Sequence, residues 1–161
     1  MSLPAPVSDA LARRDAARFC TAILPAVSRT FALGIKALPG DLGQAVLDAY
    51  LLCRIADTVE DAPGIDPQVK AALFDDFLAA FNDAEALGRF TAGVQGLTGD
   101  LAHLTLTKNT PLVFEHFARL PAKTRELVRK WVAEMAVGMR KFVLLYPAGI
   151  RIQTIEEYKE Y

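Results

Sequence analysis

Three carboxylates stand within five residues in the stretch Tyr50-Leu-Leu-Cys-Arg54-Ile-Ala-Asp57-Thr-Val-Glu60-Asp61. On a helix, Asp57 and Asp61 are i, i+4, so both side chains share one face, with Glu60 beside them. Arg54 lies one turn back and Tyr50 one turn behind that. Three acids at the end of a helix repel one another and sit against the negative end of the macrodipole. A cation relieves both penalties. The oxygen-only ligand set suits Mg²⁺, which keeps several waters and is held by one or two carboxylates plus substrate phosphates. Arg54 is then placed to pair with the same anionic substrate. The pattern also fits an ordinary solvated helix face, with Arg54 in a simple i, i+3 salt bridge to Asp57.

A second group is Ser28-Arg29-Thr30-Phe31, at the start of a short helix. Hydroxyls, a guanidinium and helix N-terminal N–H groups make a phosphate cradle. The same residues also read as a plain Ser cap followed by a solvated Arg. Phe31, Leu33 and Ile35 are expected in the core.

Other chemistries find little support. Lys+Arg 18 against Asp+Glu 19 leaves a formal charge of -1, so there is no basic surplus for nucleic acid. His103 and His116 show no metal-ligand spacing. Cys20 and Cys53 supply neither a disulfide framework nor a tetrahedral zinc site, and are expected as buried small hydrophobes in a reducing compartment. No apolar run approaches the roughly 18 residues of a membrane span. The N-terminus lacks the basic-then-apolar order of a secretory signal.

The elements that position these groups read as helices. The chain is 52% hydrophobic, Ala alone supplies 26 of its 161 residues, and β-branched alternation is almost absent. One globular domain over 1–161 is expected. A first helix spans Ser8 to Leu24, stopped by Pro25, and a second Ser28 to Leu38. Pro39-Gly40-Asp41 opens a long third helix with an apolar stripe at Leu42, Val46, Ala49, Cys53 and Ala56, closed by Ala62-Pro63-Gly64. Pro67 starts a fourth, with Val69, Leu73, Phe77 and Phe81 as its stripe. Residues Gly88 to Leu106 read as a loop holding a short helix. Helices from Pro111 to Arg119 and Pro121 to Tyr146 follow, the latter with Leu127, Trp131, Met135, Met139 and Phe142 on one face. After Pro147-Ala148-Gly149, Thr154-x-x-Glu157 is a capping box opening a last helix.

Ser-Arg-Thr-Phe at 28–31, Leu38-Pro39, Ala45-Val46 and the Tyr50 to Asp61 stretch, in that order and spacing, resemble the squalene/phytoene synthase family. Met135-x-x-Gly138-Met139-x-x-Phe142 and Glu157-Tyr158-Lys159-Glu160-Tyr161 are similar to further family segments. The resemblance covers the chain from about Ala17 onward.

It implies an all-α class I isoprenoid-synthase bundle, here as its N-terminal half. Asp57, Glu60 and Asp61 would match the first aspartate-rich motif, which holds Mg²⁺ bridged to a diphosphate. Arg54 and Tyr50 would hold that diphosphate, with Ser28, Arg29 and Thr30 as its other contact. Tyr161 would match a tyrosine near the reacting carbons. A second aspartate-rich motif, expected on a later helix, lies beyond the point where this chain stops, so the fragment alone is expected to be inactive.

The implied reaction is Mg²⁺-dependent head-to-head condensation of two farnesyl diphosphates to squalene, through a cyclopropyl intermediate. Phytoene or dehydrosqualene, from farnesyl or longer prenyl diphosphates, is the alternative product. NADPH enters for squalene, at a site outside this chain. Such an enzyme is cytoplasmic, with peripheral membrane contact for release of its product. From another class, a non-catalytic superfamily member acting in assembly or binding fits the same helices.

Overall fold

Proline, glycine and Asx residues punctuate the chain into nine helices among its described residues, and those helices wrap around one of their number. The structure, a computed structural model, describes the backbone of residues 5–160 and the side chains from Asp15 to Glu160. It is 79% helical, and no strand occurs among the described residues.

The elements are α1 (Ala5–Val27), α2 (Arg29–Lys36), α3 (Gly40–Asp61), α4 (Pro67–Ala79), α5 (Ala84–Gly93), a 3-10 turn (Val94–Gly96), α6 (Leu101–Lys108), α7 (Thr110–Phe117), α8 (Ala122–Leu145) and α9 (Ile155–Glu160). The all-α fold expected from the sequence is the fold observed.

α3 is the centre. It packs against α1, α2, α4, α6, α7 and α8. Leu51, Leu52, Ile55, Ala56 and Val59 on it are all 1% exposed or less. A helix covered on several sides buries more than one stripe, which is why the expected line from Leu42 to Ala56 lies only partly inside. Leu42 itself is exposed. A second centre is aromatic. Phe77 of α4 meets Phe90 of α5 and Phe114 of α7 at ring separations of 5.4 and 6.0 Å, and Phe81 adds edge contacts to Phe114 and Phe117. Such edge-to-face pairs add about 0.5–1.5 kcal/mol each beyond their area burial.

Several sequence expectations are corrected. Pro25 lies inside α1 rather than ending it, because a proline in the last turn forfeits only one N–H bond. Ser28 N still donates to Leu24 O at 2.9 Å, and the helix stops where Ser28 turns extended (φ -163°, ψ 112°) to cap α2. The stretch read as a loop is mostly helical. Asp83 and Asp100 each accept backbone N–H groups at the starts of α5 and α6. Thr91, Thr105 and Thr107 satisfy their hydroxyls on i−4 carbonyls, so they do not interrupt the helices.

On α8 the buried line is Val128, Val132, Ala136 and Val143, one residue round from the expected face at its N-terminal end, while Met135 and Met139 of that face pack half-buried against the core. Slimmer side chains let α8 approach α3 and α4, leaving Leu127 and Trp131 outside. Phe142 is buried as expected. On α4, Leu73 and Phe77 are buried but Val69 is exposed, and on α2 only Ile35 of the three expected residues is buried. The capping box is present: Glu157 N donates to Thr154 Oγ1 at 3.1 Å, and Thr154 N donates to Glu157 Oε2 at 3.2 Å.

No helix among the described residues is long and apolar enough to cross a membrane.

Candidate functional site

The last three turns of α3 carry the polar stripe. Its residues recur every three or four positions, while Leu52, Ile55, Ala56 and Val59 fix the opposite face in the core. The stripe is therefore held by burial of its back.

Its side chains form a linked row. Arg54 Nη2 donates to Tyr50 Oη at 3.2 Å, and Arg54 Nη1 donates to Asp57 Oδ2 at 2.5 Å. Arg54 also lies over the Tyr50 ring, 5.6 Å from its centroid. Thr58 Oγ1 bonds the Arg54 carbonyl at 2.7 Å, tightening the same turn. The salt-bridge alternative for Arg54 is thus realised. Among its remaining donors, Arg54 Nε is buried and has no hydrogen-bond partner.

Arg54, Asp57 and Asp61 line one cleft of about 110 Å³. Its far wall is the Thr98-Gly99-Asp100 turn and His103 of α6. Gly99 holds φ 150°, open to glycine, and so swings the chain into the Asp100 cap. His103, set aside in the sequence for want of metal-ligand spacing, was not placed at this site because its helix was read as loop; Asp100, an N-cap immediately before Leu101-Ala102, was the available signal.

Burial holds the Asp57 carboxyl above its ordinary range; the Arg54 and His103 charges pull it down, and Asp61 pushes it up again. The repulsion between the two aspartates is therefore only partly relieved. Two carboxylates a turn apart, facing a small cleft that Arg54 also lines, fit a hard divalent cation carrying an oxyanion. These oxygen ligands match Mg²⁺ better than a thiophilic metal.

Glu60 does not join that cleft. Its side chain is buried, and with Asp61 it lines a larger cleft of about 560 Å³ between the end of α3, the start of α4 and the Pro147–Ile150 turn. Lys70 reaches this cleft and donates to the Glu60 carbonyl, covering part of the negative end of α3. Burial lowers the Lys70 pKa, while Asp61 and Glu60 oppose that shift.

Ser28 caps α2, accepting Phe31 N at 3.2 Å, and Arg29 and Thr30 are exposed on the first turn. Phe31, expected in the core, is 58% exposed. It stacks on Tyr50 at 5.0 Å, which joins the start of α2 to the stripe on α3. Tyr161 lies outside the described residues.

The squalene/phytoene synthase family model matches residues 24–161. Squalene synthase BSS of Botryococcus braunii is 35% identical over 125 residues, which is 78% of this chain and 26% of that protein. Lycopaoctaene synthase of Botryococcus braunii is 31% identical over 89% of this chain and 30% of its own length. A solved complex of TcSQS with the ligand BPH1237 superposes with a TM-score of 0.74 at 28% identity, over 91% of this chain and 40% of that one. The chain spans less than a third of either curated relative. A match over residues 24–161, carried by an all-α fold centred on the acidic helix, places the chain in the squalene/phytoene synthase family.

Proposed function

We propose that the protein to which this chain belongs is a prenyltransferase that condenses two farnesyl diphosphates head to head to squalene, with Mg²⁺ at Asp57 and Asp61. The observation carrying this reading is the row Tyr50–Arg54–Asp57, which opens with Asp61 onto one cleft.

Arg54 is the group that meets the diphosphate. Its fork can exchange the Asp57 oxygen for a phosphate oxygen while Tyr50 keeps the guanidinium in plane. Asp57, released from Arg54, is then free for the cation. Bound Mg²⁺ supplies charge that stabilises the departing diphosphate, as electrostatic catalysis of a leaving group requires. Glu60 supports the helix end from its buried position. Ser28, Arg29 and Thr30 are assigned a second diphosphate contact, brought near by the Phe31–Tyr50 stack. Tyr161 is assigned to the reacting carbons by resemblance alone. Phytoene and dehydrosqualene are the competing products; NADPH belongs to the squalene reading, and no residue of this chain is assigned to it.

The closed Arg54–Asp57 pair favours a second reading, a non-catalytic binding or assembly protein in which that pair is structural. Calorimetry on the full-length protein with a non-hydrolysable farnesyl diphosphate analogue separates the two. Affinity should rise sharply when Mg²⁺ is present, and the Asp61→Asn variant should lose that rise. Equal affinity with and without Mg²⁺ would refute the metal assignment and leave the non-catalytic reading.

A further inference from the structure

Two and a half turns before Asp57, α3 carries a different acid. Asp48 is fully buried, and one of its oxygens, Oδ2, is buried with no hydrogen-bond partner. Its other oxygen faces His116 Nδ1 of α7 at 2.5 Å. Cys20 of α1, also fully buried, completes the group. The ligand atoms of Cys20, Asp48 and His116 all lie within 4.8 Å of one another.

A carboxylate deep in an apolar core is costly, and it is normally neutralised or satisfied on both oxygens. Here Oδ2 has no hydrogen-bond partner, and a thiol and an imidazole stand within 4.8 Å of the carboxylate. The Cys20 Sγ has only a long contact, 4.0 Å, to the Leu112 carbonyl. Cys20, Asp48 and His116 come from three helices that pack on one another. Their sequence separations, 28 and 68 residues, explain why no local spacing announces them.

We propose that Cys20, Asp48 and His116 form a site for a thiophilic divalent cation, Zn²⁺ in the first instance, which ties α1, α3 and α7 together. Sulfur and imidazole select such an ion over Mg²⁺, so this site and the acidic cleft take different metals. Tetrahedral bonds of about 2.0–2.3 Å put ligand atoms roughly 3.3–3.8 Å apart. The observed cluster reaches that with shifts of about 1 Å in its ligand atoms. The 2.5 Å His116–Asp48 contact opens as the ion replaces the bridging proton, which leaves to solvent, and Asp48 Oδ2 gains a partner. The Cys20 thiol proton leaves to solvent as the sulfur binds.

Two further features suit a metal. Gln44 Nε2 donates to the His116 carbonyl at 3.2 Å, holding the turn of α7 that carries the imidazole. His116 and Gln44 also line a cleft of about 280 Å³ with Thr21, Leu24 and Leu47, which brings solvent to the His116 edge of the cluster, while Cys20 and Asp48 lie fully buried behind it. Burial pushes the Cys20 thiol up to about 12, so without an ion it stays protonated and inert.

Cobalt is the probe, because a thiolate bound to Co²⁺ gives a charge-transfer band that carboxylates do not. Titrating the metal-free full-length protein should develop that band to saturation at one equivalent, and Zn²⁺ should abolish it. Cys20→Ser should remove it, and Asp48→Asn and His116→Gln should each weaken cobalt binding at least ten-fold. Cys53→Ser and Asp61→Asn should leave it intact, which keeps this test independent of the acidic cleft. No band, or a band that survives Cys20→Ser, overturns the site. Should the core variants fail to fold, alkylation of Cys20 in the unaltered protein decides, run in urea below the unfolding midpoint so that the core opens transiently. Zn²⁺ should slow it at least ten-fold and Mg²⁺ should not; equal rates overturn the proposal.

Discussion

Arg54 has five donors and uses two of them on its own helix, which makes it the residue whose chemistry is most exposed to test. A lysine there keeps the charge but cannot bond Tyr50 and Asp57 at once and still offer a donor to phosphate. Arg54→Lys should therefore lower kcat/KM by an amount on the order of 1–3 kcal/mol in transition-state stabilisation, with the fold intact. Steady-state kinetics on the full-length protein measures it, and an unchanged kcat/KM would reduce Arg54 to a structural partner of Asp57. At this scale the stripe was legible in the sequence because Tyr50, Arg54, Asp57 and Asp61 sit on one helix, where spacing alone determines the face. His103 and the Cys20–Asp48–His116 cluster were not legible. They are assembled from separate helices, and no periodicity within one segment encodes which helices meet.

Among the elements, α6 shows how a short cap can set the wall of a site. Asp100 Oδ1 accepts from Ala102 N at 2.9 Å and His103 N at 3.1 Å, and those bonds hold its carboxyl below the usual range. A depressed folded value adds stability that is fully present above the ordinary value of 3.8 and is lost as pH falls through the folded one. Asp100→Asn keeps a capping side chain without the charge. The melting temperature of the unaltered protein should exceed that of Asp100→Asn near neutral pH, with the gap closing in acid. A gap that stays constant with pH would show that the charge contributes nothing. Element starts such as this one are readable from Asx, Ser and Pro punctuation. The Gly- and Thr-rich stretch misled because its threonines bond back to their own helix. On α8 two neighbouring i, i+4 lines are both apolar, and only the packing partner chooses between them.

For the molecule as a whole, stability rests on the aromatic centre as much as on α3. Phe77 is 1% exposed and meets three other rings. Phe77→Ala should cost about 3–5 kcal/mol in urea denaturation, and a loss below about 1 kcal/mol would show that the cluster collapses to fill the gap. The all-α architecture was legible from composition alone, since alanine-rich sequence without alternation leaves no other regular structure. The one-residue rotation of α8 has an optical consequence. Trp131, the chain's single tryptophan, stands 56% exposed on the outer side of that helix, with Lys130 Nζ 4.9 Å from its ring centroid. Its fluorescence is thus a reporter of what touches the surface of α8. Any segment or subunit that covers that face shifts the emission to the blue while the core around Phe77 stays silent.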